Sequence, residues 1–573
     1  MVEPLSLGGH NRPMLVILDD GPRPVFRAPL AVIAADTPGE VPAALEAAGE
    51  ALAQGRHVAG WLGYELGYAL EPRLGGALRP GRTPLLRLGV FQGPAGEAPA
   101  AASRAYAGPL RLEWDRCAYA ARFALVKAYI AAGDIYQANL SFRARFAFAG
   151  DALSLYEQLR AASGAGHCGF IDDGQHQVLS LSPELFFELA ANGMLTARPM
   201  KGTAARGGND DAERAGLAAS PKDRAENLMI VDLIRNDLGR VAETGSVAVP
   251  ELFRIESYPT LHAMVSTVTA QKREKASIAD LLRALFPCGS VTGAPKIRAM
   301  EILRELESSP RGAYCGAIGH FAPDGSARFN VAIRTLTIAG GEGELGIGGG
   351  VVQDSVADGE YAECLLKARF FDATRRPLEL IETLRFETSF LRLERHLARM
   401  DNSARLFGLA FDAAAAKAAL DQAVVGRTGP LRVRLTLDEA GAHRAVAHDL
   451  PPTPDHWTYA VSSVRTQSAD LLLRHKTNWR DLYDSEVTRL GTDEVIFINE
   501  RGELTEGARS NIFLRRDGLL LTPPLEAGVL DGRLRAEMIG CGTAREAVLT
   551  AADLKGEVWF GNSLRGLIRA IRT

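Results

Sequence analysis

The chain has 573 residues, 47% of them hydrophobic and 23% charged, and its formal net charge is −4. This composition is typical of a globular protein with large cores, and the length predicts two to four domains. No basic cluster indicates a nucleic-acid partner, no apolar run is long enough to span a membrane, and the first residues lack a signal-peptide pattern.

Cysteine usage indicates a reducing compartment. The six cysteines are dispersed and form no Cys-x-x-Cys pair: Cys117, Cys168, Cys288, Cys315, Cys364 and Cys541. A disulfide framework or a zinc site is therefore not expected, and free thiols in the cytoplasm are the natural interpretation.

Helices and strands alternate through the first two thirds of the chain. Residues 93–108, rich in Ala, Gly and Pro, predict a surface loop. Residues 115–132 have the apolar period of a helix, which Gly133 would end. Pro221 predicts the start of a helix with Leu228, Val231 and Leu238 on its apolar side. Further predicted elements are strands at residues 142–148, 332–338 and 346–352 and a helix at residues 359–368.

The pattern changes near residues 371–377, which we interpret as a domain boundary between residues 1–372 and 373–573. The second part predicts strands at residues 378–385, 431–437, 457–461, 494–499 and 512–514 and a helix at residues 393–407.

Two of the predicted helices carry carboxylates at helical spacing. Asp223 and Glu226 are three residues apart, and Glu360, Glu363 and Lys367 follow at i, i+3 and i+7, so each set shares a helix face. Both sets suit solvated faces, with a Glu363–Lys367 ion pair. Together they also suit Mg²⁺, which takes oxygen ligands and keeps several waters.

Two loop features accompany these helices. Residues 348–350 are three glycines, typical of a strand that bends or lets a ligand approach its backbone, and they do not form a dinucleotide fingerprint. Lys201 lies in a turn-like stretch, Arg-Pro-Met-Lys-Gly-Thr at residues 198–203. Most lysines are solvated, and one becomes a nucleophile only where burial or a neighbouring cation favours its neutral form.

Several motifs follow one another along the first part of the chain: Gly-Asp-Ile-Tyr-Gln-Ala-Asn-Leu-Ser at 133–141, Ser-Pro-Glu at 182–184, Glu226 with Asp-Leu-Ile-Arg-Asn-Asp-Leu at 232–238, His262, Gly-Ser-Val-Thr-Gly-Ala-Pro-Lys at 289–296, Tyr314, Ala-Ile-Arg-Thr at 332–335, and residues 348–367. In these motifs the chain resembles the chorismate-utilising enzymes, which include anthranilate, aminodeoxychorismate, isochorismate and salicylate synthases. The resemblance implies an α+β fold whose first domain is an antiparallel β-sandwich core with outer helices.

Lys201 distinguishes members of this family. The corresponding turn usually reads Pro-Ile-Ala-Gly-Thr in anthranilate synthase and Pro-Ile-Lys-Gly-Thr in aminodeoxychorismate synthase. The resemblance implies that Lys201 attacks C2 of chorismate, that the C4 hydroxyl leaves after protonation by Glu184, and that ammonia then adds at C4. Gln137 stands where the water-activating members carry a lysine, which argues against isochorismate or salicylate formation.

Other roles follow from the same resemblance. Glu226 and Glu363 would bind Mg²⁺, with Asp223 and Glu360 as supporting carboxylates. His262 would be a proton shuttle or a structural histidine. Substrate binding would fall to Thr292, Gly293, Tyr314, Arg334, Gly348, Gly349 and Lys367. No Cys-His-Glu glutaminase set occurs, so we expect ammonia from solution or from a glutamine amidotransferase subunit.

The last part of the chain contains Lys476 in His-Lys-Thr-Asn-Trp-Arg (475–480), Glu506 in residues 504–513, and Arg399. As a set these residues resemble those of the fold-type IV pyridoxal-phosphate enzymes, which include branched-chain and D-amino acid aminotransferases and aminodeoxychorismate lyase. The resemblance implies a two-subdomain α/β domain that binds pyridoxal 5′-phosphate. Lys476 would link to the cofactor, Glu506 would contact its pyridine nitrogen, and Arg399 would pair with its phosphate.

The resemblance implies further phosphate contacts from Gly532 and Arg533, in the turn at 528–534, and from Asn562 and Ser563. Free-standing lyases begin with a hairpin before the Glu-Thr-Leu-Arg strand. That motif, at residues 382–385, follows the first domain directly here, so the hairpin is missing or replaced. A homodimer through this domain is the assembly that the resemblance suggests.

The two resemblances together predict a bifunctional synthase–lyase that converts chorismate to 4-aminobenzoate. Two alternatives remain: an anthranilate-type synthase fused to an aminotransferase, and a C-terminal module without catalytic activity.

Overall fold

The computed structural model describes residues 14–19, 23–78, 81, 83–258 and 261–573. The chain divides into two compact units. Unit 1 contains Met1–Pro99, Leu110–Phe146 and Tyr156–Thr374, and unit 2 contains Ala100–Pro109, Ala147–Leu155 and Arg375–Thr573.

The helices carry labels in chain order. They are α1 Val41–Ala53, α2 Leu66–Leu70, α3 Arg116–Ala131, α4 Ala152–Ser163, α5 Asp210–Ala219, α6 Pro221–Gly239, α7 Ile278–Leu285, α8 Lys296–Leu306, α9 Ala357–Thr374, α10 Leu393–Phe407, α11 Ala413–Val424, α12 Asp481–Leu490 and α13 Arg533–Gly540. Among the described residues, none of them combines the length and apolar character needed to cross a membrane.

The strands are labelled in the same way. Up to residue 351 they are β1 Leu15–Asp19, β2 Val25–Phe26, β3 Ala31–Ala35, β4 His57–Leu62, β5 Leu86–Phe91, β6 Ala105–Ala107, β7 Arg111–Leu112, β8 Gln137–Gly150, β9 His167–Asp172, β10 Gln177–Ser182, β11 Leu185–Leu189, β12 Met194–Ala197, β13 Met200–Ala205, β14 Ala248–Ser257, β15 Leu261–Gln271, β16 Gly293–Ala294, β17 Ala317–Phe321, β18 Ala327–Val331, β19 Thr335–Ala339 and β20 Glu342–Val351.

The remaining strands all follow residue 379. They are β21 Leu380–Phe386, β22 Leu431–Leu437, β23 His443–Asp449, β24 His456–Thr466, β25 Glu494–Asn499, β26 Leu504–Gly507, β27 Asn511–Arg516, β28 Leu519–Thr522, β29 Ala544–Glu546, β30 Glu557–Asn562 and β31 Gly566–Arg572.

Unit 1 is a sandwich of two antiparallel sheets. One has the order β16-β8-β20-β19-β10-β9-β1-β2, and the other β13-β15-β12-β11-β18-β17-β4-β5-β3. Val16 and Phe26 of the first sheet share one buried cluster with Trp61 and Phe91 of the second. Helices α1, α6 and α7 cover the second sheet through a larger buried cluster. The expected antiparallel sandwich with outer helices is confirmed.

Capping explains where two predicted helices begin. The Asp115 side chain accepts a hydrogen bond from Ala118 N at the start of α3, and Gly133, with φ +82°, follows its end. Ser220 caps α6 by accepting from Asp223 N, and Pro221 occupies a first-turn position that needs no N–H donor. Both helices lie where the sequence predicted them.

Unit 2 contains two sheets with separate cores. Strands β21-β22-β23 form an antiparallel sheet, and β26-β25-β24-β31-β30-β27-β28-β29 form a larger mixed one. Parallel pairs occur between β24 and β25, between β24 and β31, and between β28 and β29. One buried cluster packs α10 and α11 on the small sheet, and others lie along the large sheet. This arrangement agrees with the expected two-subdomain α/β domain.

Three local expectations were wrong. The surface loop expected at 93–108 is confined to residues 93–104, because residues 105–107 form the buried strand β6, which pairs with the end of β8. Leu228 is 44% exposed, so it lies outside the apolar side of α6. The strand expected at 332–338 begins only at Thr335, because Arg334 adopts φ +49° and interrupts it.

Candidate active sites

Lys201 lies at the centre of the site in unit 1. It is the second residue of β13, and its Nζ is 3.1 Å from Glu226 Oε2 on α6. A Cβ built on Gly350 of β20 would lie 3.0 Å from Lys201 Nζ and 3.1 Å from Gln137 Nε2 of β8. The Lys201 side chain is therefore half-buried and packs closely against Gly350, so it is not a fully solvated surface lysine.

Gln137 marks a polar space beside this lysine. Its side chain is fully buried, and neither amide atom has a hydrogen-bond partner among the described residues. Buried polar groups are nearly always satisfied, so an unpaired amide of this kind indicates a site that a ligand or water completes.

Glu184 is the buried carboxyl next to Lys201. It follows β10, is 6% exposed, and accepts a hydrogen bond from Ser290 Oγ at 2.8 Å. Burial raises the pKa of Glu184 to about 7, although the Ser290 hydroxyl, the Lys201 charge and the Met200 amide all favour its ionised form. Glu184 can therefore hold and donate a proton near neutral pH, as a general acid requires.

The carboxylates of α6 and α9 lie near the same lysines, Lys201 and Lys222. The sequence predicted the two helix faces but not that they meet. Lys222 Nζ lies 3.9 Å from Glu226 Oε1, and Lys367 Nζ lies 2.9 Å from Glu363 Oε1. Burial alone would raise the pKa of Glu363, but the positive charges of Lys367, Lys201 and Lys222 outweigh it and lower that pKa. Glu226 on α6 and Glu363 on α9 thus face one region and offer the oxygen ligands that Mg²⁺ prefers.

The supporting carboxylates lie beside backbone glycines. A Cβ on Gly202 would lie 2.9 Å from Asp223 Cβ, so Asp223 packs directly on the turn that carries Lys201. Ser355 Oγ donates to Glu360 Oε1 at 2.7 Å, and a Cβ on Gly349 would lie 3.3 Å from Glu360 Oε2. Both carboxylates therefore border the Lys201 and Gly349 backbone, as supporting ligands would.

Glycine is also required where β20 approaches its neighbours. Lys367 Nζ donates to Gly348 O at 3.0 Å, and a Cβ on Gly348 would lie 2.7 Å from Ser141 Cβ. The ring of buried Tyr314 fills the space above Gly346, where a Cβ would lie 2.1 Å from Tyr314 Cγ. Tyr314, Lys367 and Lys201 therefore all pack against the glycines of β20.

Thr292 and Gly293 lie on the far side of Gln137. Thr292 is buried and donates its hydroxyl to Cys288 O at 2.9 Å. Gly293 has φ +145° and pairs with Ala138 across β16 and β8, and a Cβ there would lie 2.3 Å from Gln137 O. A glycine is thus the only residue that fits next to the Gln137 backbone.

Two predicted residues make contacts other than those expected of them. His262 of β15 is fully buried, with Nδ1 2.9 Å from Ser257 Oγ and Nε2 3.5 Å from Asp210 Oδ1, so its neighbours belong to β14 and α5. Arg334 is half-buried, burial lowers its pKa, and its side chain has no ion pair among the described residues. It remains a free guanidinium for a carboxylate.

The site in unit 2 is built around Lys476, in the segment between β24 and α12. The side chain is half-buried, and burial together with the charges of Arg480 and Arg399 lowers the pKa of Lys476 to about 8. The charges of Glu382 and Glu506 act in the opposite direction but are smaller. A substantial fraction of this amine is neutral near physiological pH, as a lysine that reacts with a carbonyl requires.

Glu506 of β26 is a buried carboxyl with three donors. Tyr483 OH donates to Oε1 at 2.8 Å, while Leu530 N and Asn511 Nδ2 donate to Oε2 at 3.0 and 3.5 Å. Burial nevertheless raises the pKa of Glu506 to about 7. The carboxyl is thereby fixed in orientation and able to share a proton with a pyridine nitrogen.

Arg399 of α10 connects the start of α13 to the small sheet. Its Nη1 donates to Asp531 O at 2.8 Å, and its Nε and Nη2 donate to Glu382 Oε1 and Oε2 at 2.7 and 2.6 Å. A Cβ on Gly532 would lie 1.9 Å from Asn511 Oδ1. Arg399 and the N-terminus of α13 therefore meet at a glycine turn, an arrangement that suits a phosphate.

The other predicted phosphate residues lie around this turn. Arg533 donates to Asp531 O at 2.8 Å, and burial and the Arg399 charge lower the pKa of Arg533. Ser563 Oγ lies 2.8 Å from His396 Nε2, while Asn562 Oδ1 accepts from Leu564 N and Arg565 N at 3.1 and 2.9 Å. Ser563 joins the Arg399 network, and Asn562 shapes the turn that carries it.

Sequence reasoning did not assign four residues that support these groups. They are Ser290 beside Glu184, Glu382 and His396 beside Arg399, and Tyr483 beside Glu506. Ser290 lies in the motif at 289–296 and Glu382 in the motif at 382–385, so both could have been predicted as site residues from the sequence. His396 and Tyr483 lie on helices with no distinguishing pattern.

Each unit thus contains one set of ionisable groups that includes a partly buried lysine and a buried glutamate. Residues 96–373 match the family model for chorismate binding enzymes, and residues 379–572 match that for class IV amino-transferases. The chain therefore contains a chorismate-binding region over the first range and a class IV amino-transferase region over the second.

Individual relatives each match about half of the chain. Aminodeoxychorismate synthase component 1 of Klebsiella aerogenes is 46% identical over 289 residues, which are 50% of this chain and 62% of that protein. The protein of the same name from Bacillus subtilis (strain 168) is 40% identical over 260 residues, 45% of this chain and 54% of that protein. The chain thus spans somewhat more than half the length of these two relatives.

A solved structure shows the same fold. Anthranilate synthase component I from Streptococcus pneumoniae TIGR4 covers 65% of this chain and 94% of its own, with 24% identity and a TM-score of 0.53. At this identity the likeness establishes the fold of the chorismate-binding region alone.

Proposed function

We propose that this protein makes 4-aminobenzoate from chorismate in two steps, one in each unit. Unit 1 would aminate chorismate at C4, and unit 2 would eliminate pyruvate from the resulting 4-amino-4-deoxychorismate. The observation that carries the proposal is Lys201, half-buried between Glu226 and Gly350 and adjacent to Glu184. The relatives named aminodeoxychorismate synthase component 1 support the first step.

Lys201 and Glu184 divide the chemistry of the first step. The Lys201 amine would form a bond to C2 of chorismate while Glu184 protonates the C4 hydroxyl, which leaves as water. Ammonia would then bond to C4 and expel the lysine amine, so Lys201 is regenerated. A Mg²⁺ ion held by Glu226 and Glu363, with Asp223 and Glu360 in support, would offset the negative charge of the substrate carboxylates.

The remaining groups would bind and orient the substrate. Arg334 and Lys367 supply positive charge for its carboxylates, and Tyr314 supplies a hydroxyl. Gln137 supports amination over hydration, because an amide cannot take a proton from water as a lysine base could. His262 is the least supported member, because its contacts lie toward β14 and α5.

In the second step, pyridoxal phosphate bound in unit 2 would act as an electron sink for the substrate carbon that carries nitrogen. Lys476 would link to the cofactor and then take the proton from that carbon. Glu506 would contact the pyridine nitrogen, and Arg399 with the turn at Gly532 would hold the phosphate. Loss of the enolpyruvyl group as pyruvate then leaves the aromatic amine. The proposal of a lyase reaction in unit 2 is supported by Lys476, Glu506 and Arg399, and by the fact that its substrate would be the product of the first step.

Ammonia would come from a separate glutamine amidotransferase subunit, as the words "component 1" in the relatives' names suggest for those proteins. The isolated chain should then use ammonium salt far better than glutamine, and addition of a glutaminase subunit should restore use of glutamine. Equal use of both nitrogen sources by the isolated chain would contradict a separate subunit.

Product identification tests the proposal as a whole. Purified protein with pyridoxal phosphate, chorismate, Mg²⁺ and ammonium should yield 4-aminobenzoate and pyruvate in equal amounts. Formation of 2-aminobenzoate would indicate the anthranilate-type alternative. Accumulation of 4-amino-4-deoxychorismate without pyruvate would indicate a C-terminal unit without lyase activity.

A further inference from the structure

The core of unit 2 includes two segments that come early in the chain. Residues 100–109 and 147–155 belong to unit 2, and β6 pairs with the end of β8 through Ala105–Gly150, Tyr106–Ala149 and Ala107–Phe148. Tyr106 and Ala149 share a buried cluster with residues of β21 and α10. The class IV match begins only at residue 379, so both segments lie outside the matched range although they belong to unit 2.

Arg104, just before β6, connects the two ends of the segment that carries Lys476. Its Nε donates to Asp470 Oδ2 at 2.8 Å, and its Nη1 donates to Trp479 O at 3.3 Å. Asp470 caps a short turn at Leu471–Leu473 by accepting from Leu472 N at 2.9 Å. One guanidinium thus bridges positions 470 and 479, with Lys476 between them.

Tyr106 packs near the segment that carries Lys476 through aromatic rings. Its ring centroid is 6.3 Å from that of Trp479 and 5.3 Å from that of Phe407, and the Phe407 ring lies 5.2 Å from that of His475. The Tyr106 hydroxyl donates to Glu439 Oε1 at 3.1 Å. The residues on either side of Lys476 therefore rest on aromatic packing that Tyr106 completes.

We propose that Arg104 and Tyr106 are positioning residues for Lys476, so that the reaction of unit 2 depends on a segment inside the chorismate-binding sequence region. This inference rests on the proposed role of Lys476. Neither side chain need touch substrate or cofactor; each fixes the backbone from which the reactive amine projects. The chorismate-binding match spans residues 96–373, so a cut at the family boundary would separate Lys476 from this support.

Removal of the Arg104 contacts should loosen the backbone between residues 470 and 479 and should have little effect on the stability of the fold. The Arg104 side chain is 35% exposed and its partner Asp470 is 9% exposed, so the ion pair contributes modestly to stability. Two backbone bonds would remain, from Ile381 N to Lys476 O at 2.8 Å and from Asn478 N to Glu379 O at 3.0 Å. The segment would keep its attachment to β21 but lose the bridge between its ends.

The test uses the full-length protein without cofactor. The variants are Arg104→Gln, Arg104→Lys as a conservative rescue, and Arg111→Gln as a control; Arg111 is 59% exposed and pairs with Glu342 at 3.6 Å in unit 1. The first readout is hydrogen exchange of backbone amides 472–480. For Arg104→Gln we expect exchange at least about tenfold faster there and unchanged in β30, with partial restoration in Arg104→Lys.

The second readout is the reactivity of the amine itself. Pyridoxal phosphate is added across a pH series, trapped on Lys476 with borohydride, and measured by mass spectrometry of the Lys476 peptide. Arg480, Arg399, His396, Glu382 and Glu506 are the charged groups that set this titration, and Arg104→Gln leaves them in place. A more solvated amine should move the labelling midpoint upward by about one pH unit.

Activity completes the test and separates two kinds of failure. Arg104→Gln should slow lysis of supplied 4-amino-4-deoxychorismate at least about tenfold and leave ammonium-dependent amination of chorismate unchanged. Unchanged exchange and labelling in Arg104→Gln, with normal labelling of the wild type, would overturn this inference alone, and so would a uniform increase in exchange throughout unit 2. Absence of Lys476 labelling in the wild type would overturn the proposed function together with it.

Discussion

Lys201 Nζ and Glu226 Oε2 lie 3.1 Å apart, one on strand β13 and the other on helix α6. The pair joins a candidate nucleophile to a candidate magnesium ligand. The two residues are separated by 24 positions, and nothing in the sequence between them predicted this contact. Its formation depends on α6 packing across β13, so that the second turn of the helix, which carries Glu226, faces the strand.

Replacement of Lys201 should separate the two activities. Lys201→Ala removes the amine that would bond to chorismate, so formation of 4-aminobenzoate from chorismate and ammonium should fall at least about 1000-fold. Lysis of supplied 4-amino-4-deoxychorismate should be unaffected, because it depends on Lys476. Both rates are measured by product chromatography. Arg111→Gln is the control, since Arg111 is 59% exposed and pairs with Glu342 rather than with the carboxylates of the site. Equal loss of both activities in Lys201→Ala would mean a structural role.

The amination rate should depend on a protonated Glu184. With a pKa of about 7, this general acid is protonated below that pH and loses its proton above it, so the rate should fall as the pH rises through about 7. The Ser290 hydroxyl favours the ionised form, so Ser290→Ala should raise that pKa and move the falling limb to higher pH. Glu184→Gln should lower the rate about 100- to 10,000-fold. An unshifted limb in Ser290→Ala would exclude Glu184 as the titrating group.

Magnesium dependence should follow the two converging glutamates. Glu363→Gln and Glu226→Gln should each raise the Mg²⁺ concentration needed for half-maximal amination at least about tenfold, because each removes a charged oxygen ligand. Asp358→Asn is the matched control on α9, where Asp358 is 62% exposed and pairs with Arg116. A Mg²⁺ titration of the amination rate provides the measurement, and identical curves for Glu363→Gln and Asp358→Asn would argue against this site.

Glu382 should be a large contributor to the stability of unit 2. Glu382 is 1% exposed and pairs with Arg399 and His396. Burial alone would raise the pKa of Glu382, but these two partners outweigh it and lower the pKa to about 2. Glu382→Gln leaves the Arg399 charge buried without a counterion, which should cost about 3 to 5 kcal/mol. Urea unfolding followed by Trp fluorescence measures this cost. Glu387→Gln, which removes the half-exposed partner of Arg385, should change stability by less than about 1 kcal/mol.

The same group predicts an acid limb of stability. The folded-state pKa of Glu382 lies below the ordinary value of 4.5, so its contribution is fully present above pH 4.5 and is lost as the pH falls toward about 2. In Glu382→Gln this part of the pH dependence should be absent. Parallel wild-type and variant stability curves between pH 5 and pH 3 would contradict the assignment.

Tyr483 should set the pKa of Glu506, the carboxyl that we propose contacts the pyridine nitrogen of the cofactor. Its hydroxyl favours ionised Glu506, so Tyr483→Phe should raise the pKa of Glu506 above about 7 and leave it more protonated at neutral pH. We expect slower lysis at pH 7 and recovery at higher pH, measured as pyruvate release. Tyr459→Phe serves as the control, because Tyr459 is a buried tyrosine of β24 in another core cluster. The same pH profile in both variants would mean that Tyr483 does not act through Glu506.

Most of the secondary structure near the sites could be predicted from local chemistry. Asp115 with Gly133, and Ser220 with Pro221, mark α3 and α6 directly because caps act within a few residues. The strand at Ala332 was misplaced because the left-handed conformation of Arg334 has no sequence signal in a residue that is not glycine. Strand β6 was missed because three residues carry too short a pattern, and only its pairing with β8 makes it a strand.

The sequence by itself determined the order of the motifs, the identity of Lys201 and Lys476 as candidate reactive amines, and the two families. These are properties of residue type and spacing, which the chain carries before it folds. The tertiary structure alone decided which charges meet: Lys201 with Glu226, Glu382 with Arg399, and Arg104 with Asp470. Such pairs join residues up to several hundred positions apart, and sequence periodicity has no information on contacts that only packing creates. Burial then set the pKa values of Glu184, Lys476 and Glu506, because desolvation depends on every neighbour in space.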